Sequence, residues 1–195
     1  MFSLTEPKTE AVRQFLSTQV NLPFSYPEVG ATRQWSPDQP PRMPGYSIDV
    51  HREKLGSGRH LFLRATTALK EWRQFSMHSV VLCWPYLRIV EGEVCCVLAL
   101  HLGFWSMNAA RIVYTIEEDQ RFGFAYGTLP GHTHKGEERF LIEQRPDNSV
   151  WYEVSAFSKP SHWMVKLGSP ISRGIQRRFG PASAEALITA MLEKG

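Results

Sequence analysis

The sequence predicts an α+β protein in which a curved antiparallel sheet of about six to seven strands wraps on a long C-terminal helix. Segments that alternate apolar and polar residues recur between Tyr46 and Phe157, and several are joined by connectors as short as Glu118-Asp119-Gln120 and Pro146-Asp147-Asn148. Connectors of that length build antiparallel hairpins, because a parallel pair needs a long crossover. Trp163, Leu167, Ile171, Ile175 and Phe179 then recur every fourth residue, the apolar stripe of a helix that covers a sheet. A chain of 195 residues with 43% hydrophobic content is long enough to bury one core.

Thr9 to Val20 carries Ala11, Val12, Phe15 and Leu16 at helical spacing and predicts a short amphipathic helix, a lid or flank. Between residues 21 and 45, prolines at 23, 27, 37, 40, 41 and 44 forbid regular structure, since each fixes φ and lacks an N–H. Tyr46 to Lys54 alternates as a half-buried strand, ended by Gly56-Ser57-Gly58. Arg59 to Phe75 puts Leu61, Phe62, Ala65, Leu69 and Trp72 on one helical stripe. Six strands follow: Val80–Leu82, Val94–His101, Ala109–Glu117, Arg121–Leu129, Glu138–Gln144 and Val150–Phe157. A helix from Pro160 to Phe179 closes the pattern, with a kink expected around Lys166 from Pro170, and Ala182 to Glu193 predicts a last helix. The expected organisation is a single domain: an N-terminal helix over 1–22, a Pro-rich arm over 23–45, the core over 46–180 and a helical extension over 181–195.

A net charge of +3 without a concentrated basic stripe points to no nucleic-acid partner. Cys83, Cys95 and Cys96 lack C-x-x-C spacing, so neither a disulfide framework nor a zinc site is expected, and no cofactor is implied. No apolar run approaches the length of a membrane span, and the expected location is cytoplasmic, with no integral membrane contact.

The most chemically dense stretch is Gly123 to Phe140, "GFAYGTLPGHTHKGEERF". On its strand, Phe122, Phe124, Tyr126 and Thr128 share one face. Pro130 to Gly136 reads as the hairpin loop, with His132, His134, Glu137 and Glu138 at its end. Adjacent Glu137 and Glu138 face opposite ways, so at most one faces inward, and spacing alone does not say which. His132 beside an inward glutamate, taken as Glu137, forms a candidate acid–base pair, while the same glutamate could instead accept loop amides. The pair of histidines with Glu137 has metal-ligand chemistry but no third ligand of known position, and no metal site is assigned. Arg111 shares a face with Val113 and requires a carboxylate or anionic ligand there. Glu153 lies between Trp151 and Phe157 in face order, either a carboxylate in an apolar wall or an edge residue facing water. Arg178 falls within the apolar sector of its helix.

Several motifs, Tyr26-Pro-Glu-Val-Gly-Ala-Thr32, Asn108 with Arg111-Ile-Val-Tyr114, Gly123 to His132, Gly136-Glu-Glu138, Val150-Trp-Tyr152, Ala156-Phe-Ser158, Leu167-Gly-x-Pro170 and Gln176-Arg-Arg178, together resemble domain-of-unknown-function family 1990, over roughly residues 24 to 180. The resemblance implies a helix-grip fold of the Bet v 1-like or START-like kind, folds that bind hydrophobic small molecules between sheet and helix and include some cyclases, hydrolases and isomerases. Arg111, Tyr126, His132 and Glu137 sit in the family's recurring motifs, whereas His134 departs from them. The expected ligand is a small hydrophobic or aromatic molecule, held by Arg111, Tyr126, Thr128, Trp151, Glu153 and Arg178. An enzyme of the same fold, a hydrolase, cyclase or isomerase using His132 with Glu137 or Glu138, is the alternative, and a protein-interaction module using the arm and the basic helix face is the third.

Overall fold

The computed structural model describes residues 2–36, 38–77, 80–84, 87–101, 103–161 and 169–193. Strand β1 (Phe2–Ser3) and helix α1 (Thr9–Gln19) precede an arm with a 3-10 turn at Ala31–Gln34. Then come β2 (Ser47–Ser57), α2 (Arg59–Lys70), a 3-10 turn at Arg73–Phe75, β3 (Val80–Cys83), β4 (Val94–His101) and β5 (Phe104–Glu118). The chain ends with β6 (Arg121–Thr128), β7 (His134–Gln144), β8 (Ser149–Pro160) and α3 (Ser169–Glu193). The sheet runs in the order β2-β8-β7-β6-β5-β4-β3, with β1 added to β5. Its described ladders are antiparallel throughout.

The alternation of each strand sorts residues between two covered faces. The inner face carries Val97, Ile112, Phe122, Phe124, Phe140, Ile142, Tyr152 and Val154, which pack with Phe62 and Leu69 of α2 and Ala184, Leu187 and Met191 of α3. On the outer face, α1 lies over β4 and β5, with Val12 against Cys96, Leu98 and Met107. The arm covers the rest. An aromatic layer centred on Phe75 fills the inner side: its ring meets Phe140 at 5.6 Å and Phe179 at 5.9 Å and stacks on Tyr126 at 6.2 Å. Burial of each such ring stabilises the fold by about 1.5–3 kcal/mol.

Three segments depart from the periodicity. The helix expected over Arg59–Phe75 is split, because Trp72 adopts left-handed backbone angles (φ 58, ψ 27). That turn lets its indole enter the core against Phe124, centroids 4.8 Å apart, and donate from Nε1 to the Leu87 carbonyl at 2.8 Å. Strand β7 begins at His134, so His134 to Gly136 belong to the ladder rather than to the hairpin loop. Strand β8 continues to Pro160, so the start of the expected closing helix is extended chain. Trp163, Leu167 and the kink expected near Lys166 lie outside the described residues. Pro170 is the second residue of α3, where a missing N–H costs no helical bond. The same helix runs on through Pro181 to Glu193, so the last helix continues the closing one past Gly180-Pro181.

Gly127 shows how tightly the arm is seated. A Cβ there would overlap the Tyr26 hydroxyl and crowd Phe24, and Tyr26 is held in place by its hydrogen bond to Glu137 of β7. Gly127→Ala is expected to destabilise the fold by about 1–3 kcal/mol, measured by chemical denaturation, with the arm becoming the first segment cut in limited proteolysis.

Candidate functional site

The two glutamates at the centre of the densest motif occupy opposite environments. Glu137 faces outward beneath the arm, 2% exposed, and its carboxylate is fully engaged. Oε2 accepts the Tyr26 hydroxyl at 2.8 Å and the Gly30 amide at 2.7 Å, and Oε1 accepts the amide and hydroxyl of Thr32 at 3.0 and 2.5 Å. The buried phenol of Tyr26 is driven far above its ordinary pKa by desolvation and by the Glu137 charge. Arg139, next along the same face, donates to the carbonyls of Thr32 and Trp35 at 2.7 and 3.1 Å and to Glu153 at 2.5 Å. These residues anchor the arm.

Glu138 faces inward. In the register of the sheet it is aligned with Tyr126 on one side and Ala156 on the other, and Ala156 is in turn opposite Asp49. Asp49, Ala156, Glu138 and Tyr126 therefore form one row across four strands. The Tyr126 hydroxyl donates to Glu138 Oε2 at 2.6 Å, its only hydrogen bond from a described residue. Burial pushes the Glu138 carboxyl up to about 7, opposed by the Tyr126 hydrogen bond and reinforced by the Asp49 charge. Tyr126 itself lies well above its ordinary value through burial and the Glu138 charge.

Glu138 lines a cleft of about 140 Å³ between β2, β7, β8 and α3, with Asp49, His51, Arg177, Phe179 and Gly180. The imidazole of His51 is held below its usual pKa by desolvation, opposed by the Glu53 charge; its Nε2 lies 3.7 Å from the Glu53 carboxylate and has no hydrogen-bond partner among the described residues. The cleft thus offers an apolar rim at Phe179, a carboxylate that titrates near neutrality, a neutral imidazole and a guanidinium at the mouth.

The remaining predicted residues lie elsewhere. His132 is half-buried and neutral, its pKa lowered to about 3 by burial and by His134. Its Nδ1 accepts the His134 amide at 3.0 Å, and its carbonyl accepts the Ser161 hydroxyl at 2.6 Å. Among the described residues it shares no hydrogen bond with Glu137. Arg111 donates to the carbonyls of Val20 and Leu22 at 2.7 and 2.9 Å and lies over Phe24, so backbone oxygens rather than a carboxylate or ligand satisfy it. Thr128 meets Ser25 of the arm at 2.6 Å. Glu153 pairs with Arg139 beneath the arm, and Trp151 lies between Arg52 and Arg145. Arg178 is exposed, and its neighbour Arg177 lines the cleft. None of the predicted set lines the cleft, and Tyr126 reaches it only through its hydrogen bond to Glu138. The signal that selects Glu138 over Glu137 was present in the sequence: Glu138 is in phase with Phe140 and Ile142. No comparable signal marks Asp49 or His51, whose role depends on the long-range register of β2 with β8.

Residues 25–186 match the domain of unknown function DUF1990. The chain belongs to this family. A UPF0548 protein of Dictyostelium discoideum is 32% identical over 207 residues, covering 98% of this chain and 96% of the relative. A UPF0548 protein of Deinococcus radiodurans is 31% identical over 204 residues, covering 97% and 98%. Among solved structures, a hypothetical protein of Helicobacter pylori matches 76% of this chain and 91% of its own with a TM-score of 0.50 at 10% identity. The di-domain ARO/CYC StfQ of the steffimycin biosynthetic pathway matches 76% of this chain and 52% of its own, TM-score 0.50, at 9% identity. The likeness to these structures is one of fold alone: this DUF1990 member has a helix-grip fold, an antiparallel sheet packed against a C-terminal helix. No helix among the described residues is long and apolar enough to cross a membrane, and no group of three metal-ligating side chains forms among them.

Two measurements test this division of roles. Glu137→Ala leaves buried donors of the arm without their acceptor, and the unfolding free energy is expected to fall by about 3 kcal/mol in denaturant titrations. For Glu138 the sign follows from linkage. Its folded pKa, about 7, lies above its ordinary 4.5, so the native state holds the proton more tightly and the contribution is lost as pH rises through that window. His132, shifted from 6.5 down to about 3, acts oppositely, losing stability as pH falls below 6.5. The two trends offset one another in the wild type. The stability of Glu138→Gln relative to wild type is therefore the readout, and it is expected to rise by roughly 2–3 kcal/mol between pH 5 and pH 8.

Proposed function

We propose that this protein binds a small molecule with an apolar or aromatic body between the sheet and α3, its polar head seated on the Tyr126–Glu138 pair. The observation that supports this reading is the inward carboxylate of Glu138, bonded by one phenol and lining the cleft. A buried polar group costs free energy unless something completes its hydrogen bonds, and Asp49, His51, Glu138 and Arg177 converge in this cleft beside Val50, Val154 and Phe179. The cleft of about 140 Å³ is comparable to a cavity that takes one aromatic ring. A ligand hydroxyl, amide or amine suits Glu138, with His51 beside it in the lining. Cleft residues Phe179 and Val154 offer apolar contact.

A second reading is favoured by the same carboxyl. A group titrating near 7 is suited to give and take a proton at neutral pH, so an enzyme of this fold would use Glu138, with Tyr126 steering its proton, as general acid or base. His132 and Glu137, whose polar atoms are engaged in the loop and the arm, would then support the hairpin and the arm.

Native mass spectrometry of the protein isolated from its own cells, with extraction of any bound molecule, tests both readings. A stoichiometric apolar ligand is expected, held about tenfold more weakly by Glu138→Gln, the loss of one hydrogen bond to a charged group. His132→Ala is expected to retain it. Recovery of no ligand from wild type under native conditions, or equal retention by Glu138→Gln, would remove the site. A molecule altered by wild type and accumulated unchanged on Glu138→Gln would establish the enzyme.

A further inference from the structure

A second reactive site lies on the opposite face, at the far edge of the sheet. β3 is the edge strand, and its last residue, Cys83, is the direct antiparallel partner of Cys96 in β4. Residues paired in this way have Cα atoms about 4.5–5.5 Å apart, inside the range of about 4.4–6.8 Å that a disulfide spans. Both side chains belong to the cluster under α1, with Val12, Phe15 and Leu16. Cys96 is fully buried and Cys83 partly open to solvent. The sequence spacing that excludes a zinc motif says nothing about this pair, because twelve residues of chain separate two positions that the ladder makes neighbours.

We propose that Cys83 and Cys96 form a peroxide-reactive dithiol that closes into a cross-strand disulfide. The exposed thiol attacks first: Cys83 sulfur displaces water from hydrogen peroxide as the O–O bond breaks, giving a sulfenic acid. The Cys96 sulfur then attacks the Cys83 sulfur, the S–S bond forms, the S–O bond breaks and a second water leaves. Two thiols lose two electrons and two protons, and one peroxide becomes two waters. The division of roles agrees with the thiols' mutual hydrogen bond, which holds Cys83 below the ordinary thiol pKa and, with burial, raises Cys96. A more acidic, accessible thiol beside a resolving partner is the arrangement of reactive cysteines.

Cys95 provides an internal control. Adjacent in sequence, it points to the inner face among Val97, Ala110 and Tyr126, and burial pushes its thiol up to about 12. The disulfide would also close a ring of chain containing Leu87, whose carbonyl holds the Trp72 indole, so oxidation tightens the edge that supports the aromatic layer.

The test uses the folded full chain, titrated with hydrogen peroxide, quenched with an alkylating agent under denaturing conditions and digested. Expected is a loss of two hydrogens, about 2 Da, mapped by fragmentation to Cys83 and Cys96, with Cys95 alkylated and the change reversed by dithiothreitol. Cys83→Ser should abolish the loss, and Cys96→Ser should leave a sulfenic acid on Cys83 that dimedone traps. Peptide mapping of wild type carries the test even if a variant does not fold. A bond to Cys95, links only between molecules, or three free thiols after peroxide has oxidised a model dithiol would overturn the proposal.

Discussion

The structure depends on where one buried carboxylate finds its hydrogen bonds. Glu137 accepts four, all from residues of the arm between Tyr26 and Thr32, and no other group beneath the arm satisfies so many of its donors. A segment rich in proline forms few ladder bonds of its own, so its polar groups must be met from outside. Glu137 and Arg139 do this together, one accepting from the arm's N–H and O–H groups, the other donating to its carbonyls. Phe157 fills the space beside them, its ring meeting Tyr26 at 5.4 Å and Tyr46 at 5.1 Å. The arm is thereby a second layer over the outer face rather than a loose connection.

That commitment settles the other face. Because neighbours on a strand point oppositely, fixing Glu137 outward fixes Glu138 inward, and a slip of one residue would exchange them with every aromatic of β7. The alternative would place Glu137 among Phe75, Phe124 and Tyr126, while Phe140 lay against the arm. Arg139 and Glu153 give the same answer from neighbouring strands, since their ion pair forms only if both face the arm. The inward Glu138 is thus a by-product of a register chosen elsewhere, and the fold supplies it with one compensating phenol.

Periodicity made the sheet, the first helix and the inner aromatic face legible, because each is a local pattern read over a few residues. It also held the answer for Glu138, in phase with Phe140 and Ile142, an inference overshadowed by the two histidines nearby. What it could not supply is contact between distant segments. Arg111 on a half-apolar strand reads as needing an anionic partner, yet two backbone carbonyls from residues 20 and 22 satisfy it. Glu153 reads as a carboxylate facing an apolar wall or water, and the arginine that meets it lies fourteen residues away on the next strand. Trp72 breaks a well-patterned helix because a core site for its indole outweighs helical continuity, a tertiary effect that propensity does not contain.

The two faces differ in how their polar groups are compensated. On the outer face Glu137 is bonded to the arm, and Arg139 to Glu153 and to the arm's carbonyls, so a ligand would have to displace a native partner. On the inner face a single phenol among the described residues donates to Glu138, which lines the cleft. Numbers of titratable groups are therefore a poor guide to a site in this fold. The stretch richest in histidine and glutamate is spent largely on holding the hairpin and the arm, and of its two glutamates only Glu138 lines the cleft.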